Sequence, residues 1–390
     1  MAKHRMDAMF RMTKGSGYCG IPVGGDTYRG CQGGCLYCYD KQTRNQHIRK
    51  DGEDGISIRD YRALFKSLHQ HDSYVRHYTK TLKCPVQLGI LSDPFPPAEK
   101  KHRATISLLR LLTKAGIPTV LSTKAPHRID DEHIEVLIAN RAVVKVSFST
   151  LSDETAHILE PHNTPPSNRI KHMRRLHDAG IPIVLRMDPF FYTIPYDLKP
   201  FDGIVDRVTM EFFRMSVTWR NSLPIELWEF LGKEKAPPPG DRRKAWTKRI
   251  QEAWFRPLQT PNAAKYGGSY AWVLMSPDKL RPYIEKMYQD AKAIGVPFGI
   301  CNTGQGIHHV DLIEGGYCCQ VRKDTGFDEW NLVNQWNVDE WDAFKCRARD
   351  EINLDIVMDR MLFANSSLGR PIADALPLQA GDEREVFDYE

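Results

Sequence analysis

The chain has 390 residues, 41% of them hydrophobic and 26% charged, with a formal net charge of +5. That balance is ordinary for a globular protein of one large domain plus an appended region, or of two domains, and no apolar run reaches membrane-spanning length. Met1–Lys14 is charged and holds no export-signal core, so nine cysteines point to thiolate chemistry in a reducing, cytoplasmic setting rather than to a disulfide scaffold.

In chain order, Asp26 to Arg29 reads as a first strand that delivers a glycine-bearing loop, Gly30-Cys31-Gln32-Gly33-Gly34-Cys35-Leu36-Tyr37-Cys38. Ser57 to His71 has a helical stripe in Tyr61, Leu64, Phe65 and Leu68. Val86 to Leu91 is an apolar strand ending in Ser92-Asp93-Pro94, and a helix follows from Glu99 to Ala115. Thr119 to Ser122 is the next strand, and Asp130 is placed to cap the helix after it. Val143 to Ser149, Ile183 to Arg186 and Arg207 to Phe213 complete six strands.

One junction recurs, as Ala115-Gly116-Ile117-Pro118, Ala179-Gly180-Ile181-Pro182 and Ile294-Gly295-Val296-Pro297: a helix stop, then a proline that leads into a strand. This repetition predicts an α/β fold, a partial (β/α)6 barrel of TIM-like type, with its functional face at the strand C-termini. The expected domains are an N-terminal extension (1–25), the barrel (26–215), a helical and cysteine-containing C-terminal region (216–378) and an acidic tail (379–390). Pro277 to Ala293 reads as a helix in that region, with a strand at Pro297 to Ile300.

The spacing of Cys31, Cys35 and Cys38 is the strongest chemical signal. A cubane 4Fe-4S cluster normally takes four protein thiolates, so three on one tight loop leave one iron open to a small molecule. A zinc knuckle, or three unrelated core cysteines, are the alternatives. Zinc sites favour two paired ligand clusters, and no second CxxC occurs here.

A second group, Cys301, Cys318, Cys319 and Cys346, could hold an auxiliary Fe-S cluster, or zinc with His308 and His309; core or free cysteines are the plain alternative. Charge is uneven: thirteen acids and six bases lie in residues 339–390, so the bases concentrate before that point. Arg242, Arg243, Lys244, Lys248 and Arg249 beside Trp246 and Trp254 fit a polyanion such as DNA, with bases meeting phosphates and aromatics stacking; solvated helix faces and packing tryptophans look the same in sequence.

Further motifs carry a resemblance. The CxxxCxxC loop with Tyr37 before its last cysteine, Ser92-Asp93-Pro94-Phe95-Pro96-Pro97-Ala98-Glu99, Ser122-Thr123-Lys124, Val146-Ser147-Phe148-Ser149-Thr150, Leu159-Glu160-Pro161 and Arg169 resemble the spore photoproduct lyase-like branch of the radical S-adenosylmethionine (SAM) superfamily, over about residues 26–190. The resemblance implies an enzyme that binds one 4Fe-4S cluster on Cys31, Cys35 and Cys38 and reductively cleaves SAM to a 5'-deoxyadenosyl radical. It implies Tyr37 against the adenine, Ser92 and Asp93 near the SAM amino group, Ser122 and Lys124 near its carboxylate and ribose, and Ser149 and Arg186 as further contacts. It also implies an electron donor such as flavodoxin or ferredoxin. Spore photoproduct lyases carry a hydrogen-donating cysteine just after the second strand; here the segment reads Gly89-Ile90-Leu91-Ser92-Asp93, and Cys84 lies at the strand's other end. The expected reaction is therefore isomerisation or modification of a base in DNA, such as a substituted thymine, rather than photoproduct repair. Radical chemistry on a peptide or small metabolite is the second expectation, and a non-catalytic, zinc-containing nucleic-acid-binding protein the third.

Overall fold

The computed structural model describes residues 10–12, 23–38, 57–58, 79, 85–213, 215–216, 223–254, 256–257, 272–274 and 277–300. Its centre is a sheet built from β1 (Phe10–Met12), β2 (Val23–Gly25), β5 (Val86–Leu88), β6 (Thr119–Thr123), β7 (Val143–Phe148), β8 (Ile183–Phe190), β9 (Arg207–Phe212) and β13 (Phe298–Ile300), in that spatial order. β1 is antiparallel to β2, and the other seven strands run parallel. The order is linear, so the sheet is open, as the expected partial barrel requires; β13 adds a seventh parallel strand to the six anticipated. The sheet thus draws strands from before residue 26 and after residue 215.

The helices between the strands are α1 (Glu99–His102), α2 (Ala104–Lys114), α3 (Asp131–Ala139), α4 (Asp153–Leu159) and α5 (Pro166–Asp178). Asp130 caps α3 as expected, accepting from His133 N at 3.0 Å. Two local readings are corrected. The helix expected over Glu99–Ala115 breaks at Arg103, which sits at φ +51°. The buried Glu99 side chain bends back to accept from Thr105 N (2.9 Å) and Ile106 N (3.1 Å), capping α2 and so favouring a fresh start there. The first parallel strand is Val23–Gly25, not Asp26–Arg29; Tyr28–Arg29 (β3) pairs instead with Ser57–Ile58 (β4), which opens the stretch read as a helix. Residues 59–71 lie outside the described residues.

The repeated junction has one geometry. Gly116, Gly180 and Gly295 lie at φ +66°, +87° and +72°. In each case the next residue's N–H reaches back five residues: Ile117 to Leu112 O (2.8 Å), Ile181 to Leu176 O (3.1 Å) and Val296 to Ala291 O (3.1 Å). That is a Schellman stop, with a buried apolar residue directly after the glycine. A fourth copy was hidden. Arg141 takes the left-handed position at φ +58°, and Ala142 N bonds Leu137 O at 2.9 Å.

Side chains alternate along each strand. Leu121, Val144, Val146, Phe148, Leu185, Met187, Val208 and Met210 share the main apolar core with Leu108, Leu112, Leu137, Met173 and Leu176 of the helices. The intervening positions are largely polar and belong to the opposite face of the sheet: Ser122, Lys145, Ser147, Arg186, Asp188, Thr209 and Glu211. A second apolar cluster lies on the cysteine-loop side. There α6 (Ile225–Gly232) and α7 (Asp241–Trp254) pack Leu227, Trp228, Leu231, Trp246 and Ile250 with Phe191, Phe213, Cys35 and Tyr37.

Candidate active site at the cysteine loop

Cys31, Cys35 and Cys38 are free thiols on one loop; Cys35 is buried and the other two are partly exposed. The loop is seated on the turn after α4. Leu36 N donates to Leu159 O (2.9 Å), His162 N to Gly33 O (3.4 Å), and Asn163 Nδ2 to Gly33 O (2.8 Å). Gly34 sits at φ +70°, and a Cβ there would come within 2.5 Å of the His162 ring, so this close approach needs glycine. Among the donors that address sulfur are Gly33 N to Cys31 Sγ at 3.4 Å, the Asp93 backbone to Cys31, and Asn163 Nδ2 to Cys35 Sγ at 3.1 Å.

Burial pushes the Cys35 thiol up to about 12, with Glu160 adding to the rise and Lys124 opposing it. Burial raises Cys31 as well, the Gly33 N–H pulling the other way. Binding a metal group here therefore releases protons. Among the described residues, no three His, Cys, Asp or Glu side chains group closely enough to hold a single ion. A cubane takes each thiolate on a different iron, and Cys31, Cys35 and Cys38 are donors of the kind such a cluster uses.

Beside the loop stands Glu160, 2% exposed, at the end of α4. Its Oε1 accepts from Lys124 Nζ (2.8 Å), Ser149 Oγ (2.6 Å) and the Tyr37 hydroxyl, and its Oε2 from Arg169. Burial alone would raise the Glu160 pKa; Lys124 and Arg169 hold it far below the usual carboxylate range. Burial, then Cys35 and Glu160, drive the Tyr37 phenol up. Three of the residues expected around SAM, namely Tyr37, Lys124 and Ser149, thus meet at one carboxylate, contributed by the cysteine loop, the end of β6 and the end of β7. Lys124 Nζ also lies 5.7 Å from the Tyr37 ring centroid and 3.4 Å from Asp188 O.

The other expected residues lie in the loop after β5 (Ser92 and Asp93), within β6 (Ser122) and within β8 (Arg186), which runs on to Phe190 past its expected end at Arg186. Asp93 accepts from Phe95 N (2.9 Å), Thr123 Oγ1 (2.8 Å) and Lys124 N (2.8 Å), tying the loop after β5 to the end of β6. Ser92 Oγ donates to Tyr28 O at 2.7 Å, while Asp26 Oδ1 accepts from Leu91 N (2.8 Å) and Ser92 N (3.0 Å). Ser122 is 6% exposed, and its hydroxyl has no hydrogen-bond partner among the described residues. Arg186 on β8 pairs with Asp188 (2.9 Å) and with Glu211 of β9 (2.6 Å).

Residues 26–194 match the family model of the Radical SAM superfamily. This stretch is a radical SAM domain. The fold is similar to a spore photoproduct lyase variant with bound AdoMet and dinucleoside spore photoproduct: TM-score 0.52 at 12% identity, over 77% of this chain and 80% of that one. A spore photoproduct lyase complexed with dinucleoside spore photoproduct gives 0.50 at 14% identity, over 76% and 79%. The uncharacterized protein ORF301 of Acidianus two-tailed virus is 23% identical over 106 residues, which span 27% of this chain and 35% of that protein.

Most of the rim just described, from the cysteine loop to Asp188, lies within the matched residues 26–194, and Glu211 lies beyond them. Sequence reasoning missed Glu160, Asn163, Asp188 and Glu211 as members of this rim. Leu159-Glu160-Pro161 is visible as a motif but carries no role, because its partners Tyr37 and Lys124 lie 123 and 36 residues away. Cys301, Cys318, Cys319 and Cys346, with His308 and His309, lie outside the described residues. The aromatic face expected on α7 is partly corrected. Trp246 is 7% exposed and packs in the second apolar cluster, so its burial there accounts for it without a stacked base. Three bases of α7 have local partners, the Lys244 and Arg249 pairs lying at the surface: Lys244 with Asp241 (3.1 Å), Arg249 with Glu234, and Arg243 Nε with Pro237 O (2.7 Å). No described helix is long and apolar enough to cross a membrane.

Proposed function

We propose that this radical SAM enzyme abstracts hydrogen from a modified base in DNA, using a 4Fe-4S cluster on Cys31, Cys35 and Cys38 and SAM bound beside it. One observation carries the site: the cysteine loop, Tyr37, Lys124 and Ser149 converge at the sheet's C-terminal rim around Glu160. When bound, the cluster supplies an electron and an open iron for SAM, whose cleavage generates the 5'-deoxyadenosyl radical. The chain's own residues do the positioning. Glu160 holds Lys124 against the rim, so its ammonium has a fixed place near the SAM carboxylate. The Ser122 hydroxyl is a buried group with capacity left for a ligand. Tyr37 presents its ring to the adenine, with Ser92, Asp93 and Arg186 completing the enclosure.

The DNA assignment is supported by the fold shared with structures that carry a dinucleoside photoproduct. It draws nothing from α7. The segment Gly89 to Asp93 has no cysteine to return a hydrogen atom, which favours isomerisation or base modification over photoproduct repair. A flavodoxin or ferredoxin in the cytoplasm would supply the electron. The test is anaerobic incubation of reconstituted protein with SAM, dithionite and oligonucleotides deuterated at the thymine methyl group. Deuterium in 5'-deoxyadenosine is the expected result. Cleavage of SAM without deuterium transfer from any DNA, but with transfer from peptide or metabolite pools, would replace the substrate and keep the radical chemistry.

A further inference from the structure

The turn between α4 and α5 carries more than Glu160. Asn163, three residues on, places its side-chain Nδ2 2.8 Å from Gly33 O and 3.1 Å from Cys35 Sγ. The orientation of this amide is settled by its partners. Gly33 O can only accept, so the atom facing it is the NH2, which has a second hydrogen for the sulfur. A Cβ at position 33 would fall 2.8 Å from Nδ2, so the glycine makes room for this contact.

We propose that Asn163 is a positioning residue of the cluster loop whose side-chain N–H donates to the Cys35 thiolate and raises the reduction potential of the cluster. The proposal rests on the cluster reading of Cys31, Cys35 and Cys38. Its physics is electrostatic. Reduction adds negative charge that is shared with the sulfur ligands, and a donor aimed at a sulfur gains strength as that charge grows. Hydrogen bonds to the sulfurs and outer-shell partners of the ligands are recognised levers on cluster potential. Cys35 is the most buried of the three thiols, where low polarity amplifies such a bond. The reach-back is also long: 128 residues separate Asn163 from Cys35, so the donor is brought there by the fold. A higher potential would ease electron entry from the donor protein, without Asn163 touching SAM or substrate.

The experiment is an anaerobic redox titration of the reconstituted full-length protein, followed by electron paramagnetic resonance, with iron and sulfide content measured on every sample. Asn163→Leu keeps the side-chain volume and removes the donor; Asn163→Gln keeps a donor. The leucine variant should hold a full cluster with its one-electron reduction equilibrium lowered about tenfold, equivalent to about 59 mV. The glutamine variant should fall between it and the wild type. A full cluster at unchanged potential in Asn163→Leu overturns the proposal. If leucine prevents assembly, Asn163→Ala is read in the same way. Loss of the cluster from both, with the thermal midpoint of the apo-protein unchanged, also overturns the tuning role. A wild-type protein that takes up no iron or sulfide refutes the cluster reading itself, and that outcome is distinct from all of these.

Discussion

Glu160 and Glu211 are both buried carboxylates at the rim of the sheet, yet they are balanced in opposite ways. Glu160 is one carboxylate between two cations, Lys124 and Arg169, with its own side chain 1% and that of Arg169 0% exposed. Glu211 and Asp188 both pair with the Arg186 guanidinium, and there the side chains of Arg186 and Asp188 are 16% and 24% exposed. The first group is closed except at Lys124, 16% exposed, and joins four segments of chain. The second is open chiefly at Asp188. A closed cluster of this kind holds geometry, because a buried charge without its partner is costly. An open one can exchange partners with a ligand at lower cost.

The largest expected effect breaks the closed cluster. Glu160→Leu leaves Lys124 and Arg169 without their carboxylate and should cost about 3–5 kcal/mol in denaturant unfolding. A loss below about 1 kcal/mol would show that the two cations find other partners. The same cluster predicts a pH dependence. Glu160 is depressed far below its ordinary value near 4.5, so its contribution is full above that value and drains away as pH falls toward the folded pKa. Stability of the wild type should therefore fall steadily below about pH 4.5, and Glu160→Gln should flatten that slope. Equal slopes for the two proteins would assign the acid lability elsewhere.

Breaking the open cluster should matter less to the fold. Arg186→Met should cost about 2–3 kcal/mol, since solvent reaches Asp188 while the buried Glu211 loses its Arg186 partner. SAM affinity, measured by equilibrium dialysis under anaerobic conditions, should drop in this variant by more than its stability loss explains. Outside both clusters, Arg141→Gly relieves a left-handed residue at a helix stop that glycine occupies in the other three copies. It should raise stability by about 1 kcal/mol; a decrease would mean that the arginine side chain earns its strained place. The smallest effect on folding is expected at Ser122. Removing a buried hydroxyl that lacks a partner should leave stability unchanged within about 0.5 kcal/mol or improve it, while SAM binding weakens. Unchanged SAM affinity in Ser122→Ala would remove this hydroxyl from the site.

Much of this protein is legible locally. The strands β5 to β9 follow from β-rich runs between glycine and proline, and α8 (Pro277–Ala293) matches the helix expected there. Asp130 announces the start of α3, and three Gly-Ile/Val-Pro junctions announce helix stops. What failed locally failed for identifiable reasons. Arg141 occupies a position where glycine would have advertised the turn. Glu99 reads as one more helical residue until its carboxylate is seen capping α2. Trp246 beside basic residues looks like a stacking face until α6 and α7 are packed onto the cysteine loop.

The sequence by itself determined the cysteine loop, because ligand spacing on a tight loop is written in consecutive residues. It also determined the alternation of strands and helices, because propensity, periodicity and helix stops act over a few residues at a time. Only the tertiary structure decided which polar groups meet. Tyr37 finds Glu160 across 123 residues, and Gly33 finds Asn163 across 130. No spacing rule reaches so far. Those contacts exist because the parallel sheet brings its strand ends to one rim, where a buried carboxylate must gather donors from whatever segments the fold delivers.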